Sequence, residues 1–237
     1  YTPENLLRLI VNEGVSFSHC VPTILQMLLS ASEEANTDLS KLKMLIGGSA
    51  LPHGLAEAAM ARGINIYTGY GMSETCPVLT ISALDPTDES SIDPRLKTGN
   101  PIPMVDLMTV GQGMTEMPRD GVTVGEIVVR APWLNAEYVK NPQATHALWE
   151  GGYLRTGDVG HIDGSGALMI TDRMKDVIKT GGEWVSSLEL ESLASTVKGV
   201  AEVAAIGVPD EKWGERPLLL IVRQDGVDES IIRDGLV

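Results

Sequence analysis

The chain has 237 residues, of which 43% are hydrophobic and 21% charged. This composition excludes a disordered chain and indicates one large or two modest globular domains. The net charge of -14, from 18 basic and 32 acidic residues, argues against a nucleic-acid surface, which needs clustered Lys and Arg to neutralise phosphates.

Location and redox state are predicted from what the sequence lacks. No apolar run approaches the ~20 residues of a transmembrane segment and no secretory signal is visible, which favours the cytoplasm. Because the chain opens on Tyr1 and not on Met, we expect its natural N-terminus to be missing. Cys20 and Cys76 are expected to be reduced thiols, although the sequence leaves a disulfide open.

The first 76 residues alternate between predicted helices and strands. This rhythm indicates a largely parallel sheet with crossover helices, whose ligand lies at the carboxyl ends of the strands. Gly47–Ala50 and Gly69–Glu74 both follow such predicted strand ends. The predicted helices cover residues 3–14, 22–30 and 52–62, and the predicted strands cover residues 15–19, 42–46 and 64–67.

After Pro77 the pattern changes to short strands with many Pro and Gly, which predicts an antiparallel β subdomain. Its strands are expected at residues 78–81, 105–109, 125–130 and 167–171, with an exposed loop at 85–93. A third pattern starts near Lys175 and indicates a small α+β domain. Its elements are a strand at 176–179, a turn at Gly181-Gly182, a helix opening at Ser186-Ser187, and strands at 203–208 and 218–222.

The octapeptide from Gly69 to Cys76 is the most informative motif. A strand that runs into a glycine-rich loop lets backbone approach a phosphate closely, while Tyr70, Ser73 and Glu74 add an aromatic face, a hydroxyl and a carboxylate. Such a loop suits a nucleoside triphosphate with its metal, although ordinary turn chemistry is an alternative. Two further segments, 153–158 and 170–184, have matching chemistry.

In order and spacing, the three motifs resemble those of the adenylate-forming superfamily of acyl-CoA synthetases, luciferases and peptide-synthetase adenylation domains. Residues 181–187 and 212–217 look most like the medium- and long-chain fatty acyl-CoA ligases. The resemblance implies an α/β fold with part of a large domain at 1–174, mostly parallel α/β at 1–76 and β-rich at 77–174. A truncated small α+β domain follows at 175–237, with the hinge at Lys175.

This resemblance implies a two-step reaction that uses ATP, Mg²⁺ and coenzyme A to convert a fatty acid to its acyl-CoA through acyl-AMP. It assigns Glu74 to Mg²⁺, Ser73 to the α-phosphate and Lys175 to the hinge. It places the carboxylic substrate near His19, Gly47 and Met72. The implied nucleotide and coenzyme contacts are Gly48, Thr68, Gly69, Tyr70, Gly71, Ser73, Asp158, Arg173, Lys175, Lys179, Gly181, Gly182 and Trp184.

Several of these residue types also have a purely structural explanation, which the sequence leaves open. In that case Cys76 would pack in the interior. The other structural explanations are a core aromatic for Tyr70, a strand-to-helix turn for Gly47-Gly48, an Asx turn or helix cap for Asp158, a surface ion pair for Arg173, interdomain packing for Trp184 and a satisfied strand-end histidine for His19.

The resemblance also shows what the sequence lacks. The phosphate loop ending in Pro-Lys would precede residue 1 and the catalytic lysine would follow residue 237, so we expect negligible activity from this chain alone. Residues 231–237 do not clearly match the family. Rival predictions are an enzyme that loads a carrier protein and an inactive nucleotide-binding module. A homodimer is left open, and because the chain has a single Phe, an acyl pocket must be built from Met, Leu, Ile and Val.

Overall fold

A computed structural model of the protein describes residues 2–82, 93–224, 226–228, 232, 233 and 235. The predicted loop at 85–93, apart from Asp93, and most of residues 231–237 lie outside this range. The chain divides into unit 1 (1–107, 129–154 and 162–169) and unit 2 (108–128, 155–161 and 170–237). Within the described residues, no helix is long and apolar enough to cross a membrane.

The first sheet has the predicted parallel α/β arrangement. Its strand order is β1-β2-β3-β4-β5; β1, β2 and β3 are parallel, whereas β4 and β5 are antiparallel to their neighbours. The strands are β1 (Phe17–Cys20), β2 (Lys43–Ile46), β3 (Asn65–Tyr70), β4 (Thr80–Ile81) and β5 (Asn100–Pro101). The helices of this part are α1 (Pro3–Asn12), α2 (Pro22–Glu34), α3 (His53–Ala61) and α4 (Asp93–Leu96).

Local signals explain where these elements begin and what they bury. The hydroxyl of Thr2 accepts a hydrogen bond from the amide of Asn5 at the start of α1, and Pro22 opens α2. Between the helices and the sheet lies an aliphatic core, which supplies most of the stability of such a layer because apolar burial is its main driving force. Its fully buried members include Leu25, Leu39, Leu42, Ile46, Ile64 and Ile66.

Strand β3 is longer than predicted. It continues through Tyr70 because Gly69 and Tyr70 pair with Ile81 and Thr80, which places residues 80–81 in the first sheet and not in the second. The loop is therefore confined to residues 71–76, with a single 3₁₀ turn at Ser73–Thr75. Cys76 follows in the left-handed region at φ 57° and is exposed, so the expectation that it packs in the interior is wrong.

The second sheet has the strand order β10-β9-β7-β6, and β8 pairs with β9. The unpredicted strand β9 contains Asp158, so the prediction of a turn there is wrong. The polar run Thr156-Gly157-Asp158, with Gly157 at φ 72°, interrupts the apolar pattern by which this strand could have been predicted. Leu154, Val159 and Ile162 of the strand are buried. The elements are β6 (Asp106–Val110), β7 (Gly125–Arg130), the unpredicted helix α5 (Pro142–Leu148), β8 (Trp149–Glu150), β9 (Tyr153–Ile162) and β10 (Leu168–Arg173).

The third sheet lies in unit 2 and is antiparallel throughout, in the order β12-β11-β14-β13. The predicted helix opens as expected, because the Ser186 hydroxyl caps it by accepting a hydrogen bond from the amide of Glu189. The elements are β11 (Ile178–Thr180), β12 (Glu183–Val185), α6 (Ser187–Ser195), β13 (Val200–Asp210) and β14 (Gly214–Arg223).

Candidate functional site

A cavity of about 640 Å³ opens in unit 1 at the carboxyl ends of β1, β2 and β3. This volume lies within the range of small-molecule sites, roughly 300–1,000 Å³. Most of its wall is aliphatic. The sequence predicted that Met, Leu, Ile and Val would build an acyl pocket, but it did not predict which of these residues would do so. Six of the predicted site residues line it, namely His19, Gly47, Gly48, Gly69, Tyr70 and Gly71. The aliphatic wall includes Leu9, Ile10, Ile24, Leu28, Met44 and Leu45.

Close backbone packing explains two of the glycines that line this cavity. A Cβ at Gly47 would lie 3.1 Å from the carbonyl oxygen of Gly69, and a Cβ at Gly71 would lie 1.5 Å from that of Pro77. No real Cβ reaches the second of these distances, so residue 71 must be glycine for the loop to close as it does. A role of these glycines toward a nucleotide stays a prediction.

Thr68 and Tyr70, both near the end of β3, have different environments. Thr68 is 7% exposed and its hydroxyl donates a hydrogen bond to the carbonyl oxygen of Arg95 at 2.9 Å, so it holds the neighbouring segment in place. Tyr70 is 8% exposed and lines the cavity, where its ring offers a flat apolar surface. Of the two, Tyr70 is the side chain that a bound ring could contact.

Cys20 also lines the cavity, and its thiol donates to the sulfur of Met44 at 3.4 Å. Burial of the Cys20 side chain raises its pKa from 9.0 to about 11, because the thiolate is disfavoured away from water. Both cysteines are free, as the sequence favoured.

The 3₁₀ turn presents Glu74 beside the exposed Ser73 and the half-buried Met72. The Tyr138 hydroxyl donates a hydrogen bond of 2.7 Å to Oε1 of Glu74, and this contact raises the pKa of Tyr138 above its ordinary value. Sequence reasoning missed Tyr138. A usable signal was present, because four of the ten aromatic residues of the chain (Trp133, Tyr138, Trp149 and Tyr153) are concentrated in residues 133–153.

The segment that carries Tyr138 also fixes the backbone of the turn. The amide of Asn135 donates to the carbonyl oxygen of Glu74 at 3.2 Å, and the indole of Trp133 donates to that of Thr75 at 3.0 Å. The Thr75 hydroxyl accepts from the amide of Met72 at 2.9 Å and closes the turn from within. The position of Glu74 is therefore set by contacts on both sides of the turn.

The residues of this turn fit a magnesium ion that arrives with a nucleotide. No cluster of three or more His, Cys, Asp or Glu that could hold a metal is found in the described part of the chain, so a preformed cage is excluded there. Mg²⁺ is commonly held by one or two carboxylates together with substrate phosphates and water. Glu74 offers a carboxylate of that kind, and its binding of magnesium stays a prediction. Asn135, whose amide donates to the carbonyl oxygen of Glu74, has its side-chain Oδ1 buried without a hydrogen-bond partner among the described residues, an acceptor that a bound ligand or water could satisfy.

In unit 2 the structure brings Asp158 and Arg173 together, with Nε of Arg173 3.6 Å from Oδ1 of Asp158. The Asp158 side chain is 16% exposed and that of Arg173 is 64% exposed, so the carboxylate is held in place while the guanidinium reaches solvent. The surface ion pair considered for Arg173 is thus present, and an added ribose or phosphate contact stays a prediction.

Four of the implied nucleotide and coenzyme contacts, Lys179, Gly181, Gly182 and Trp184, lie in one β hairpin of unit 2. Lys179 pairs with Trp184 across β11 and β12, and Gly181-Gly182 are the two turn residues, at φ 61° and 89°. Two positive φ values are typical of the I′ turn, which favours glycine. The amide of Gly181 donates to the carbonyl oxygen of Trp213 at 2.9 Å, and Lys175 lies before the hairpin with its side chain 72% exposed.

Comparison with known proteins agrees with the resemblance of the motifs. Residues 1–139 match the AMP-binding enzyme family, and residues 189–237 match the AMP-binding enzyme C-terminal domain. The second match includes residues 231–237, so the expectation that these residues fall outside the family pattern is wrong. A long-chain-fatty-acid–CoA ligase of Thermus thermophilus is 37% identical over 227 residues, which are 93% of this chain and 42% of that relative.

Two solved structures extend the comparison to the fold. The o-succinylbenzoate coenzyme A synthetase of Bacillus subtilis, in complex with ATP and magnesium ion, is similar at a TM-score of 0.80 and 27% identity, over 99% of this chain and 47% of that one. The amide bond synthetase McbA of Marinactinospora thermotolerans is similar at a TM-score of 0.80 and 29% identity, over 99% and 49% of the two chains. The chain spans less than half the length of these relatives. As its three ordered motifs predict, it belongs to the AMP-binding enzyme family.

Proposed function

We propose that the full-length protein carrying this chain activates a medium- or long-chain fatty acid with ATP and transfers the acyl group to coenzyme A. The observation that carries this proposal is the aliphatic cavity, whose lining also includes Gly47, Gly48, Gly69 and Tyr70 at the ends of two parallel strands. An apolar wall leading to a nucleotide-type loop suits a substrate with a hydrocarbon tail and a reactive carboxylate.

In the first step a carboxylate oxygen attacks the α-phosphorus of ATP, the bond to the oxygen that bridges to the β-phosphate breaks, and pyrophosphate leaves. In the second step the sulfur of coenzyme A attacks the acyl carbon, AMP leaves with the electron pair, and the thiol proton passes to solvent. Both steps depend on positioning and charge stabilisation and need no protein nucleophile.

The residues of this chain would divide these tasks. Tyr70 would contact the adenine ring, Ser73 would donate to the α-phosphate, and Asp158 with Arg173 would hold the ribose. Glu74 would hold magnesium, which offsets the charge of the phosphates when it is bound with ATP. His19, Gly47 and Met72 would border the carboxylic substrate.

We also propose that residues 1–174 belong to the large domain and residues 175–237 to the small mobile domain. Lys175 falls between the two matched segments, which end at residue 139 and begin at residue 189, and this supports the boundary. The Gly181-Gly182 turn, with Lys179 and Trp184, would then approach the nucleotide or coenzyme A when the small domain rotates. Cytoplasmic location and dimerisation stay predictions.

A carboxylate panel tests the proposal. The full-length protein is incubated with ATP, Mg²⁺, coenzyme A and fatty acids of increasing length, and acyl-CoA, AMP and pyrophosphate are measured. We expect all three products, and we expect Glu74→Gln to remove most of the Mg²⁺-dependent rate. Glu57→Gln, at an exposed carboxylate on α3, is the matched control. Near-normal rates in Glu74→Gln would refute the metal role, and failure across the whole panel would refute the activity and favour an inactive nucleotide-binding module.

The acceptor is the second question. One of the similar solved structures is named an amide bond synthetase and another a coenzyme A synthetase, so similarity alone does not choose the acceptor. A carrier-protein thiol is the alternative that the sequence raised. Acyl-AMP formation, seen as exchange of labelled pyrophosphate into ATP, without any acyl-CoA product would reject coenzyme A and favour that alternative.

A further inference from the structure

The carboxylate of Glu74 has an unusual set of partners for a half-buried acid. Within the described residues, no Lys, Arg or His pairs with it, and the Tyr138 phenol is the one side-chain group that hydrogen bonds to it. Its negative charge is therefore oriented by a neutral donor and is not neutralised by a cation. A carboxylate in this state can still attract a metal ion.

We propose that Tyr138 is a positioning residue, which holds the Glu74 carboxylate in the orientation that binds the divalent cation of the nucleotide. This inference rests on the function proposed above. The phenol donates to Oε1 at 2.7 Å, a normal distance for a hydrogen bond from a hydroxyl group. No other hydrogen bond to this carboxylate is found in the described part of the chain, which leaves Oε2 and the remaining lone pair of Oε1 for the cation.

The second argument is the way in which Tyr138 is itself held. Its amide donates to the hydroxyl of Thr145 at 2.9 Å, and its carbonyl oxygen accepts from the amide of Asn141 at 3.2 Å. Asn141 caps α5 by accepting from the amide of Ala144 at 3.1 Å. The phenol is thus attached to the first turn of a helix, so it presents its hydroxyl from a fixed backbone.

The third argument is that one segment, residues 133–138, binds both the backbone around Glu74 and its side-chain carboxylate. Asn135 binds its carbonyl oxygen, Trp133 binds that of the next residue, and Tyr138 binds the carboxylate. A free glutamate side chain loses rotamer entropy when it is fixed in one orientation. Here a large part of that loss has occurred before the metal arrives, which is the usual way in which an outer partner strengthens a metal ligand.

The test uses the full-length protein with Mn²⁺ as the probe and α,β-methylene ATP as a nucleotide that cannot react at the α-phosphorus. Free Mn²⁺ is followed by electron paramagnetic resonance. Because loss of such an outer partner typically weakens metal affinity about 10–100-fold, we expect Tyr138→Phe to raise the Mn²⁺ dissociation constant at least about tenfold. The matched control is Tyr153→Phe, which removes an equal 2.7 Å phenol–carboxylate bond, to Asp106. Neither residue lines the cavity or belongs to the Ser73–Thr75 turn, so this change should alter the Mn²⁺ dissociation constant less than about twofold.

A double-mutant cycle shows whether Tyr138 acts through Glu74. In a Glu74→Gln background, Tyr138→Phe should have no further effect on Mn²⁺ binding. In pyrophosphate exchange, Tyr138→Phe should raise the Mg²⁺ concentration for half-maximal rate about tenfold, while saturating Mg²⁺ restores most of the rate. Thermal unfolding without metal verifies that each variant is folded.

The outcomes separate this inference from the proposed function. Suppose that pyrophosphate exchange occurs. If Tyr138→Phe then has wild-type Mn²⁺ affinity, or weakens Mn²⁺ binding by the same factor in the Glu74→Gln background, the positioning role is wrong and the function stands. If no acid supports exchange but Mn²⁺ binding weakens as described, the function is wrong and the positioning role stands. Absence of nucleotide-dependent Mn²⁺ binding by the wild type would overturn both.

Discussion

The carboxylate of Asp172 and the first residue of α6, Ser187, are joined by two hydrogen bonds. Oδ2 of Asp172 accepts from the amide of Ser187 at 2.6 Å and from its hydroxyl at 2.9 Å. Asp172 is 1% exposed, and its other oxygen accepts from the amide of Arg173 at 2.7 Å. The start of α6 is therefore fixed to the end of β10 by a buried carboxylate that accepts three hydrogen bonds.

Replacing this carboxylate should loosen α6. Asp172→Ala leaves the buried amide of Ser187 without an acceptor, so we expect a loss of about 1–3 kcal/mol in the free energy of unfolding and faster hydrogen exchange in α6. Asp176→Ala, at a half-exposed side chain 3.9 Å from Lys175, is the control and should cost less than about 1 kcal/mol. Urea unfolding and amide exchange measure both variants. Equal losses would contradict the role of Asp172.

The glycine at position 71 should be irreplaceable for a steric reason. The Cβ of Gly71→Ala would meet the backbone of Pro77, so the loop that carries Glu74 must move, with a loss of roughly 1–3 kcal/mol in stability and of adenylation. Gly54→Ala is the control, because it lies in α3 with no atom within 4 Å of its Cβ and should be neutral or stabilising by up to about 1 kcal/mol. Thermal unfolding measures the stability of the two variants. A Gly71→Ala variant with wild-type stability would exclude the close contact between residue 71 and the backbone of Pro77.

Filling the cavity should shift the preferred chain length. Ile24→Trp replaces an aliphatic side chain of the cavity wall by a larger aromatic one. If the indole takes the space of two methylene groups of the substrate, kcat/KM for the longest accepted acid should fall about tenfold, because each buried methylene contributes ~0.8 kcal/mol. Short acids should be little affected. Met27→Trp, at a position 37% exposed on the same helix, should leave the chain-length profile of the full-length enzyme unchanged. Identical profiles for the two variants would place the acyl chain elsewhere.

The raised pKa of Cys20 predicts both its reactivity and its effect on stability. With the pKa moved from 9.0 to about 11, the thiolate fraction at pH 8 falls about a hundredfold, so Cys20 should react far more slowly with iodoacetamide than the exposed Cys76. Single Cys→Ser variants allow each thiol to be followed alone. Comparable rates at pH 8 would show that Cys20 is open to solvent.

The sign of the linked pH effect follows from proton binding. Between pH 9 and about 11 the folded protein keeps the Cys20 proton while the unfolded chain loses it, so this thiol stabilises the fold less as the pH rises through that window. The difference in unfolding free energy between wild type and Cys20→Ala should decline there. A difference that stays constant from pH 8 to 11 would contradict the shift.

Local signals in the sequence predicted the elements whose boundaries they control. The Thr2-Pro3 cap predicts the start of α1, Ser186 predicts α6, and β7 matches its predicted range of 125–130. Strand β9 was missed because a glycine at positive φ and polar neighbours interrupt its apolar pattern. Its pairing is non-local, and no short window of sequence contains that information.

The site was only partly predictable for the same reason. Motifs identified Glu74 and the glycines of the loop, since each lies next to a predicted strand end. Tyr138 is 64 residues from Glu74 in the chain, and only the fold brings the two together. The cavity wall likewise combines residues from α1, α2 and β2 that share nothing in sequence beyond being aliphatic.

Strand β1 stands first in its sheet, so within the described residues one of its sides has no hydrogen-bonded neighbour, and its Phe17 is 59% exposed. An open strand edge with an exposed aromatic residue is a template for pairing with another chain. We therefore expect the 237-residue chain, expressed by itself, to self-associate through β1 at high concentration, and a lysine at position 17 to be the simplest change that keeps it dispersed.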